Sequence, residues 1–202
     1  MSHSDQVRKS KKNRIIEAAA DIFAQRGYAG ASVADIAVKA AIGKGTVYEY
    51  FSSKEDLFFA VFEWYTQRSS RLASVSISAL GGSAADRLLA ISDAIMGQWD
   101  EIKDAFTLTM EFWAASASSQ MRDRFKAAFR DLYQEFRQLI SALIQEGIDH
   151  GEFRADIRPE LVAKALVGTW DALFLQAWFE ENFDPVAVAR EFSGIIIKGL
   201  SS

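Results

Sequence analysis

The chain of 202 residues has no cysteine, only two prolines and only two histidines. The lack of cysteine excludes disulfide bonds and thiol chemistry and leaves the redox compartment open. His3 and His150 lie far apart in the sequence and have no other spaced metal ligands beside them, so we predict neither a metal site nor a cofactor. The glycines beside Lys44 lack the spacing of a phosphate-binding loop, and no other pattern supports a catalytic residue.

The scarcity of proline favours helices. Pro159 and Pro185 both lie late in the chain, and the long stretches before them are rich in Ala, Leu, Ile and Glu. Hydrophobic residues make up 50% of the chain, which suffices for a real core in one small and one medium domain. We therefore predict an all-α protein with one domain of residues 1–53 and a second of residues 54–202. The N-terminal stretch lacks the apolar run of a signal peptide, and a cytoplasmic location is expected.

The net charge of −4 hides an asymmetry along the chain. Residues 1–54 contain nine Lys or Arg against five Asp or Glu, whereas residues 55–202 contain fourteen against twenty-two. A basic end on an acidic remainder localises nucleic-acid binding to that end, although such asymmetry also arises by chance on a solvated surface. The basic cluster of residues 8–14 fits either an arm or helix start near phosphates or a solubilising tail.

Residues 32–51 read as two short helices with a tight corner between them. Ser32 is placed to cap the first helix, with Asp35 three residues on, and apolar residues recur at helical spacing from Val33 to Ala40. The corner falls at residues 41–43, and the second helix follows directly. Two short helices joined in this way form a helix-turn-helix, whose second helix enters the major groove of DNA.

The run from Ile36 to Leu57 reads I-A-x-x-A-x-I-x-K-G-T-V-Y-x-Y-F-x-S-K-E-x-L. This run resembles the DNA-binding signature of the TetR family of bacterial transcriptional regulators. It departs from the family pattern at Ala41, where the family usually has Gly, and at Gly43, where Ser or Thr is frequent. A left-handed backbone at position 41 would cost Ala about 1 kcal/mol. Gly43 is an acceptable N-cap for the second helix.

The second helix carries the predicted contacts with DNA. Lys44 is suited to a guanine edge or a phosphate, Gly45 allows close approach of the backbone, and Thr46 offers a hydroxyl and a methyl group. The resemblance implies phosphate contacts by two tyrosines and a lysine further along, whereas Val47 and Phe51 are expected to face inward. A half-buried packing role for Tyr48 is the alternative. The predicted DNA-binding residues are Ser32, Lys44, Gly45, Thr46, Tyr48, Tyr50 and Lys54.

Apolar periodicity predicts nine helices in all, with helix 1 from about Lys11 to Arg26 and helix 4 from about residue 54 to 77. Helix 7 is expected to loosen near Gly147 and Gly151. Helix 8, from about Pro159, is apolar nearly all round, and Lys164 and Asp171 argue against a membrane span. A subunit interface fits better. Helices 8 and 9 of two copies suit a four-helix bundle across a two-fold axis, and the TetR resemblance implies a homodimer of this kind.

The TetR resemblance also implies a ligand pocket among helices 4 to 8. Aromatic residues and Met at helical spacing would suit a small hydrophobic or planar effector, although such residues more often form plain core. Two acids inside apolar runs, Glu111 and Asp171, fit a cationic ligand, an internal pair or an exposed position equally well. The predicted pocket residues are Trp99, Phe106, Met110, Trp113, Phe129, Tyr133, Trp170 and Phe174.

These patterns and the TetR resemblance together predict a homodimeric transcriptional repressor that binds palindromic double-stranded DNA and responds to a small-molecule effector. Transcriptional activation is compatible with the same residues. The competing hypothesis is a small-molecule sensor or carrier that has lost DNA binding, for instance through Ala41. An enzyme is a third possibility that no residue pattern supports.

Overall fold

A computed structural model of the chain describes residues 3–78, 81–103, 106–118 and 121–201, with side chains described for 5–67, 81–100, 103, 106–117 and 121–201. The described residues are predominantly α-helical, and the only β contact among them is an isolated bridge between Phe153 and Ser201. The helices are α1 His3–Gly30, α2 Val33–Lys39, α3 Lys44–Tyr48, α4 Lys54–Ser78, α5 Ala84–Met96, α6 Phe106–Ser118, α7 Arg122–Asp149, α8 Pro159–Phe179 and α9 Pro185–Leu200. A single further turn covers Trp99–Ile102.

The predicted all-α fold is therefore confirmed, with nine helices of five or more residues in the described part of the chain. The start of α8 follows the prediction because proline suits the first turn of a helix, where no N–H partner is needed. The predicted start of helix 1 near Lys11 is wrong, because α1 begins at His3. The helix α7 continues through Gly147 to Asp149, and Gly151, just beyond its end, has a φ of 75°. A Cβ at Gly147 would lie 2.3 Å from the Phe153 ring, so glycine serves packing there.

The chain divides into two compact units, which we call the first unit (Met1–Arg68 with Asp104–Ala127) and the second unit (Ser69–Lys103 with Ala128–Ser202). The first unit contains α1 to α3, most of α4, α6 and the first turns of α7. It therefore extends beyond residue 53, and the domain boundary set there from the sequence stays a prediction.

Phenylalanine rings fill the core of the first unit. The fully buried Phe58 of α4 has its ring centroid 5.0 Å from those of Phe23 in α1 and Phe112 in α6. Phe125, near the start of α7, lies 5.7 Å from Phe58 and 5.2 Å from Phe62. Aromatic pairs at such distances stabilise a core beyond the area that they bury. These rings thus join α1, the helix that precedes the helix-turn-helix, to α4, α6 and the start of α7.

The second unit has a small polar contact inside its apolar core. Trp170 of α8 donates its indole N–H to Ser92 Oγ of α5 at 3.2 Å, and Ser193 Oγ of α9 lies 3.2 Å from the same oxygen. All three side chains are buried, and their polar atoms are satisfied by one another. Apolar side chains of α5, α7, α8 and α9 surround this contact, including Leu88, Ile91, Ile140, Leu143, Leu166 and Leu173.

Candidate nucleic-acid interface

The α2–α3 segment has helix-turn-helix geometry. Ser32 caps α2, because its hydroxyl accepts from the backbone N–H of Asp35 at 3.1 Å and donates to the Asp35 carboxylate at 2.6 Å. The hydroxyl of Ser32 and then the guanidinium of Arg26 hold the pKa of Asp35 below its usual value. Gly43 is the N-cap of α3 with an extended backbone and no side-chain cap. The structure therefore confirms Ser32 and Gly43 as the N-caps of α2 and α3.

The corner after α2 is a left-handed turn. Ala41 has a φ of 51° and is the only non-glycine residue with a positive φ in the described chain. The N–H of Ile42 donates to the Ala37 carbonyl and the N–H of Ala41 to the Val38 carbonyl, both at 3.0 Å. These two bonds form a Schellman motif, which usually has glycine where Ala41 stands. Ala41 therefore has the left-handed backbone considered in the sequence analysis, and its Cβ destabilises this conformation by about 1 kcal/mol.

The helix α3 presents one face outward and one face inward. Lys44, Gly45 and Tyr48 are exposed, with Tyr48 48% accessible, whereas Val47 is fully buried. Thr46 is half-buried. A recognition helix needs this division, because its outward side chains must reach base edges and phosphates. The inward orientation predicted for Val47 is confirmed, and the roles of the outward residues stay predictions.

The entry into α4 is fixed by the residues that follow α3. Ser53 caps α4 by accepting from the backbone N–H of Asp56 at 3.1 Å. The ammonium of Lys54 lies 4.4 Å from the ring centroid of Tyr28, a cation–π distance, and Lys54 and Tyr50 are half-buried. The Tyr28 hydroxyl donates to Glu55, and burial together with this carboxylate raises the pKa of Tyr28. These contacts tie the end of α1 to the start of α4.

Some of the predicted pocket residues come together in the second unit. The ring centroids of Phe129 and Tyr133 are 6.3 Å apart, and the Tyr133 hydroxyl donates to the carboxylate of Asp171. Phe174 lies three residues after Asp171 on α8, and its ring centroid is 5.9 Å from that of Trp99. Burial raises the pKa of Asp171, and the Tyr133 hydrogen bond opposes that rise. We call these five residues the aromatic–acid row.

The other predicted pocket residues are placed differently. Trp170 is buried in the core of the second unit, bonded to Ser92. Phe106 is buried within the first unit, and Met110 and Trp113 are half-buried there. The carboxylate of Glu111 packs against Gly27, since a Cβ on that glycine would lie 2.6 Å from Glu111 Oε1. A pocket lined by all eight residues stays a prediction.

Two family models match the chain. Residues 15–61 match the model described as bacterial regulatory proteins of the tetR family, and residues 84–194 match the model described as BetI-type transcriptional repressor, C-terminal. The second match alone covers more than half of the chain. The chain belongs to the TetR family. The resemblance noted in residues 36–57 is thereby confirmed.

Curated relatives of this TetR-family chain include transcriptional repressors. The repressor DhaR of Mycobacterium sp. strain GP1 is 25% identical over 87% of this chain and 86% of its own length. The repressor KstR2 of Rhodococcus jostii is 25% identical over 95% of this chain and 92% of its own length. A TetR regulator from Haloarcula marismortui shares the fold at a TM-score of 0.84 and 20% identity, over 96% of this chain and all of that one. A putative regulator from Saccharomonospora viridis, solved with choline, matches at a TM-score of 0.81 and 20% identity, over 96% of this chain and 99% of that one.

Membership of this family makes the chain a DNA-binding transcriptional regulator of the repressor type and not an enzyme. Among the residues described, no three His, Asp or Glu side chains are grouped so that they could hold a metal ion. No helix in the described ranges has the length and apolar character needed to cross a membrane.

Proposed function

We propose that two copies of this chain bind a palindromic operator through their α3 helices, repress transcription and leave the DNA when an organic effector binds. The observation that carries this proposal is the outward face of α3. Lys44, Gly45 and Tyr48 are exposed beside a Val47 that is held in the core. A two-fold axis would present two such helices to successive major grooves, roughly 34 Å apart on one face of the duplex.

The dimer is supported by the exposed apolar side chains of α8 and α9. Phe179 is 68% accessible and Ile195 is 57% accessible in the single chain. The exposed positions of α8 also include small residues, and a Cβ at Gly168 would meet no atom within 4 Å. Large apolar groups beside small ones suit close packing against another helix pair. The exposed large apolar residues on these two helices are Leu161, Trp178, Phe179, Val188 and Ile195.

The effector class is supported by the aromatic–acid row. No ion pair joins Asp171 to any described cation, and its hydrogen-bond partner is the neutral Tyr133 hydroxyl. This carboxylate has no direct ion pair, although the Arg137 guanidinium lies 5.9 Å from the Tyr133 ring centroid, and neighbouring aromatic rings attract cations through their faces. The structural neighbour from Saccharomonospora viridis binds choline, an organic cation. We therefore propose a small effector that combines apolar surface with a positive charge, which refines the hydrophobic or aromatic effector predicted from the sequence.

The DNA-binding role of α3 is tested by Tyr48→Ala. The variant should remain dimeric, while its affinity for an operator selected from a random duplex pool should fall by about tenfold or more, since a lost contact costs roughly 1–3 kcal/mol. Leu139→Ala, which truncates an exposed side chain of α7, is the control and should bind as the parent does. Unchanged operator binding by the Tyr48 variant would show that α3 does not read DNA.

The effector class is tested by comparing choline with its uncharged carbon isostere, 3,3-dimethylbutan-1-ol. Choline should raise the melting temperature of the protein and the isostere should not, because only the cation supplies the counter-charge. Asp171→Asn should abolish the difference, whereas Asp131→Asn, at an exposed position of α7, should preserve it. Equal responses to both compounds would leave an uncharged hydrophobic effector as the better explanation.

The same ligand and DNA-binding measurements distinguish the proposed function from two alternative hypotheses raised by the sequence. A carrier that has lost DNA binding would retain the choline response and show no salt-dependent affinity for any duplex. An activator would bind the operator as a repressor does but raise the output of a reporter gene placed downstream. The cytoplasmic location expected from the N-terminal stretch is part of this proposal.

A further inference from the structure

The helix α1 begins well before the part of it that packs in the core. Its first residue is His3, whereas its first buried residue, and the first residue matched by the tetR family model, is Ile15. Residues 3–14 therefore add about three turns, or roughly 18 Å of helix, outside the family's DNA-binding motif. We call these residues the N-terminal extension. Its side chains from Asp5 to Arg14 are exposed, apart from a half-buried Lys11.

The N-terminal extension lies beside the residues that follow α3. Arg8 and Lys12 share a helix face with Ile15 and Ala19, because these positions recur every three or four residues. The guanidinium carbon of Arg8 is 5.8 Å from the ring centroid of Tyr50. The Lys12 ammonium is likewise 5.7 Å from the Phe51 ring centroid. The face that packs inward further along α1 thus continues as a cationic face next to the end of the recognition helix.

The cations of the first unit fall into two groups. Three of those away from the extension pair with neighbouring acids, Arg26 with Asp35 at 3.0 Å, Lys39 with Asp21 at 2.8 Å and Arg124 with Asp56 at 2.8 Å, whereas the other exposed cations at the start of α7 do not. The cations of the extension have no hydrogen bond or ion pair with any described residue, and the same holds for Lys44 of α3. The unpaired cations of the extension are Arg8, Lys9, Lys11, Lys12 and Arg14.

An arrangement of this kind favours a polyanion. Like charges held together on one helix repel each other and gather counterions, and a phosphate backbone that replaces those counterions releases them to solution. Arg8 of this group lies beside Tyr50, one of the residues that we assign to the DNA surface. An acidic protein surface would satisfy the same charges, but Val7 is the only large apolar side chain exposed in the described part of the extension, which is little for a protein interface.

We propose that the N-terminal extension is a second phosphate-binding surface, which grips the DNA backbone beside the groove that α3 enters. The inference rests on the proposed function for its location, because it takes α3 as the recognition helix. It adds contacts that lie outside the helix-turn-helix. These contacts strengthen binding to any duplex and carry no sequence information, since phosphates are the same at every base pair.

The test uses the full chain and a random-sequence duplex of about 30 base pairs, so that no operator is needed. The affinity is measured by fluorescence anisotropy between 50 and 200 mM NaCl. In the variant R8A/K9A/K12A, the negative slope of log K against log salt should decrease in magnitude by about two to three for each bound protomer, because each lost phosphate contact removes about 0.9. The affinity at 100 mM salt should fall at least tenfold.

A matched control removes three exposed cations from α7. R122A/K126A/R130A changes the net charge by the same amount, and these three residues have no ion pair in the described structure. Its slope should equal that of the parent. Equal losses in the two variants would show that net charge alone matters, and an unchanged slope in the extension variant would show a solubilising segment; either result overturns the proposal.

Two further measurements separate the proposal from the proposed function. The charge-preserving variant R8K/K9R/K12R should keep the parental slope, and the ratio of operator to random-duplex affinity should stay unchanged in R8A/K9A/K12A. A reduced ratio would mean that the extension reads bases, which contradicts a phosphate role. If the parent protein binds random duplex with a salt slope that the extension variant loses, yet selects no palindrome, the operator model fails and the extension stands.

Discussion

The two units differ in what they leave exposed. The first unit exposes cations and few large apolar side chains, which are Val7, Val38 and Tyr48 in its described part. The second unit exposes a series of large apolar side chains along α8 and α9, from Leu161 to Ile195. Both units contain ion-paired cations, among them Arg87 and Arg190 of the second, but the first unit also gathers several unpaired cations in its N-terminal extension.

This difference indicates that the two units expose groups suited to different kinds of binding partner. The interior of the first unit is closed by its phenylalanine core, and the groups left over are charges that a phosphate backbone would neutralise. The leftover groups of the second unit are apolar, and another apolar surface is what removes them from water. In the proposed function, the charged surface would meet DNA and the apolar surface would meet a second copy of the chain.

The largest effect is expected from Ile195→Glu, which tests the apolar half of the comparison. A carboxylate at this 57% accessible position of α9 would be buried without a partner in the proposed dimer. The variant should sediment as a monomer. Its operator affinity should fall by roughly 100-fold or more, since two heads on one operator gain about that much from linkage.

The control for Ile195→Glu is the same change in the first unit. Val38 on α2 is 80% accessible, so Val38→Glu introduces an identical carboxylate at an even more exposed apolar position. It should leave the dimer intact in sedimentation. A dimeric Ile195 variant would remove α9 from the proposed interface, and a monomeric Val38 variant would show that the comparison between the two units is wrong.

An intermediate effect is expected from Gly27→Ala, which tests how tightly the first unit is closed. Gly27 has a φ of 66° and a ψ of 169°, a region that side chains adopt at a cost of about 1–3 kcal/mol. The new Cβ would also approach Glu111 Oε1 to 2.6 Å, so the carboxylate must move. Urea unfolding should show a loss of stability in that range.

Two further variants separate the backbone strain at Gly27 from the crowding against Glu111. Gly30→Ala, three residues on, places a Cβ 3.6 Å from the Arg26 Cβ. This is an ordinary van der Waals contact, so the stability should change little. The double variant G27A/E111A removes the carboxylate and should recover only the part of the loss that comes from crowding. A Gly27 variant as stable as the Gly30 variant would mean that the break in α1 is freely adjustable.

Much of the first unit could be predicted because its signals are local. The Ser32 cap, the Gly43 start of α3 and the inward Val47 are each decided by residues within a few positions. The spacing from Ile36 to Leu57 also sufficed to place the chain in its family, as the family match confirms. The presence and order of the helices followed from apolar periodicity and scarce proline.

The second unit was less predictable because its candidate site depends on distant pairs. Aromatic residues at helical spacing are equally consistent with core and pocket, so the sequence could not tell that Trp170 is fully in the core while Phe174 is only partly buried against it. The pairing of Tyr133 with Asp171 joins α7 to α8 and has no local signal. The place of Arg8 beside Tyr50 was missed for the same reason, although the spacing of Arg8, Lys12 and Ile15 already indicated one helix face.

The smallest expected effect is a change in stability at the turn between α2 and α3. Ala41 adopts a left-handed backbone, in which a Cβ costs about 1 kcal/mol or slightly more. Glycine removes that cost but loses roughly 0.5–1 kcal/mol of its own through greater freedom in the unfolded chain. The two terms nearly cancel, and Ala41→Gly should therefore stabilise the protein by less than about 1 kcal/mol.

The stability change of Ala41→Gly is best judged against the same substitution at a second alanine of the helix-turn-helix. Ala34 is an exposed residue inside α2 with no left-handed backbone to relieve, so Ala34→Gly should destabilise the protein by about 1 kcal/mol. The measurement is the urea midpoint of the two variants against the parent. A destabilised Ala41 variant would show that the turn tolerates alanine without strain. Because the Ala41 methyl group adds little to any contact with DNA, operator affinity should change less than twofold, and a larger loss would mean that the corner sets the position of α3.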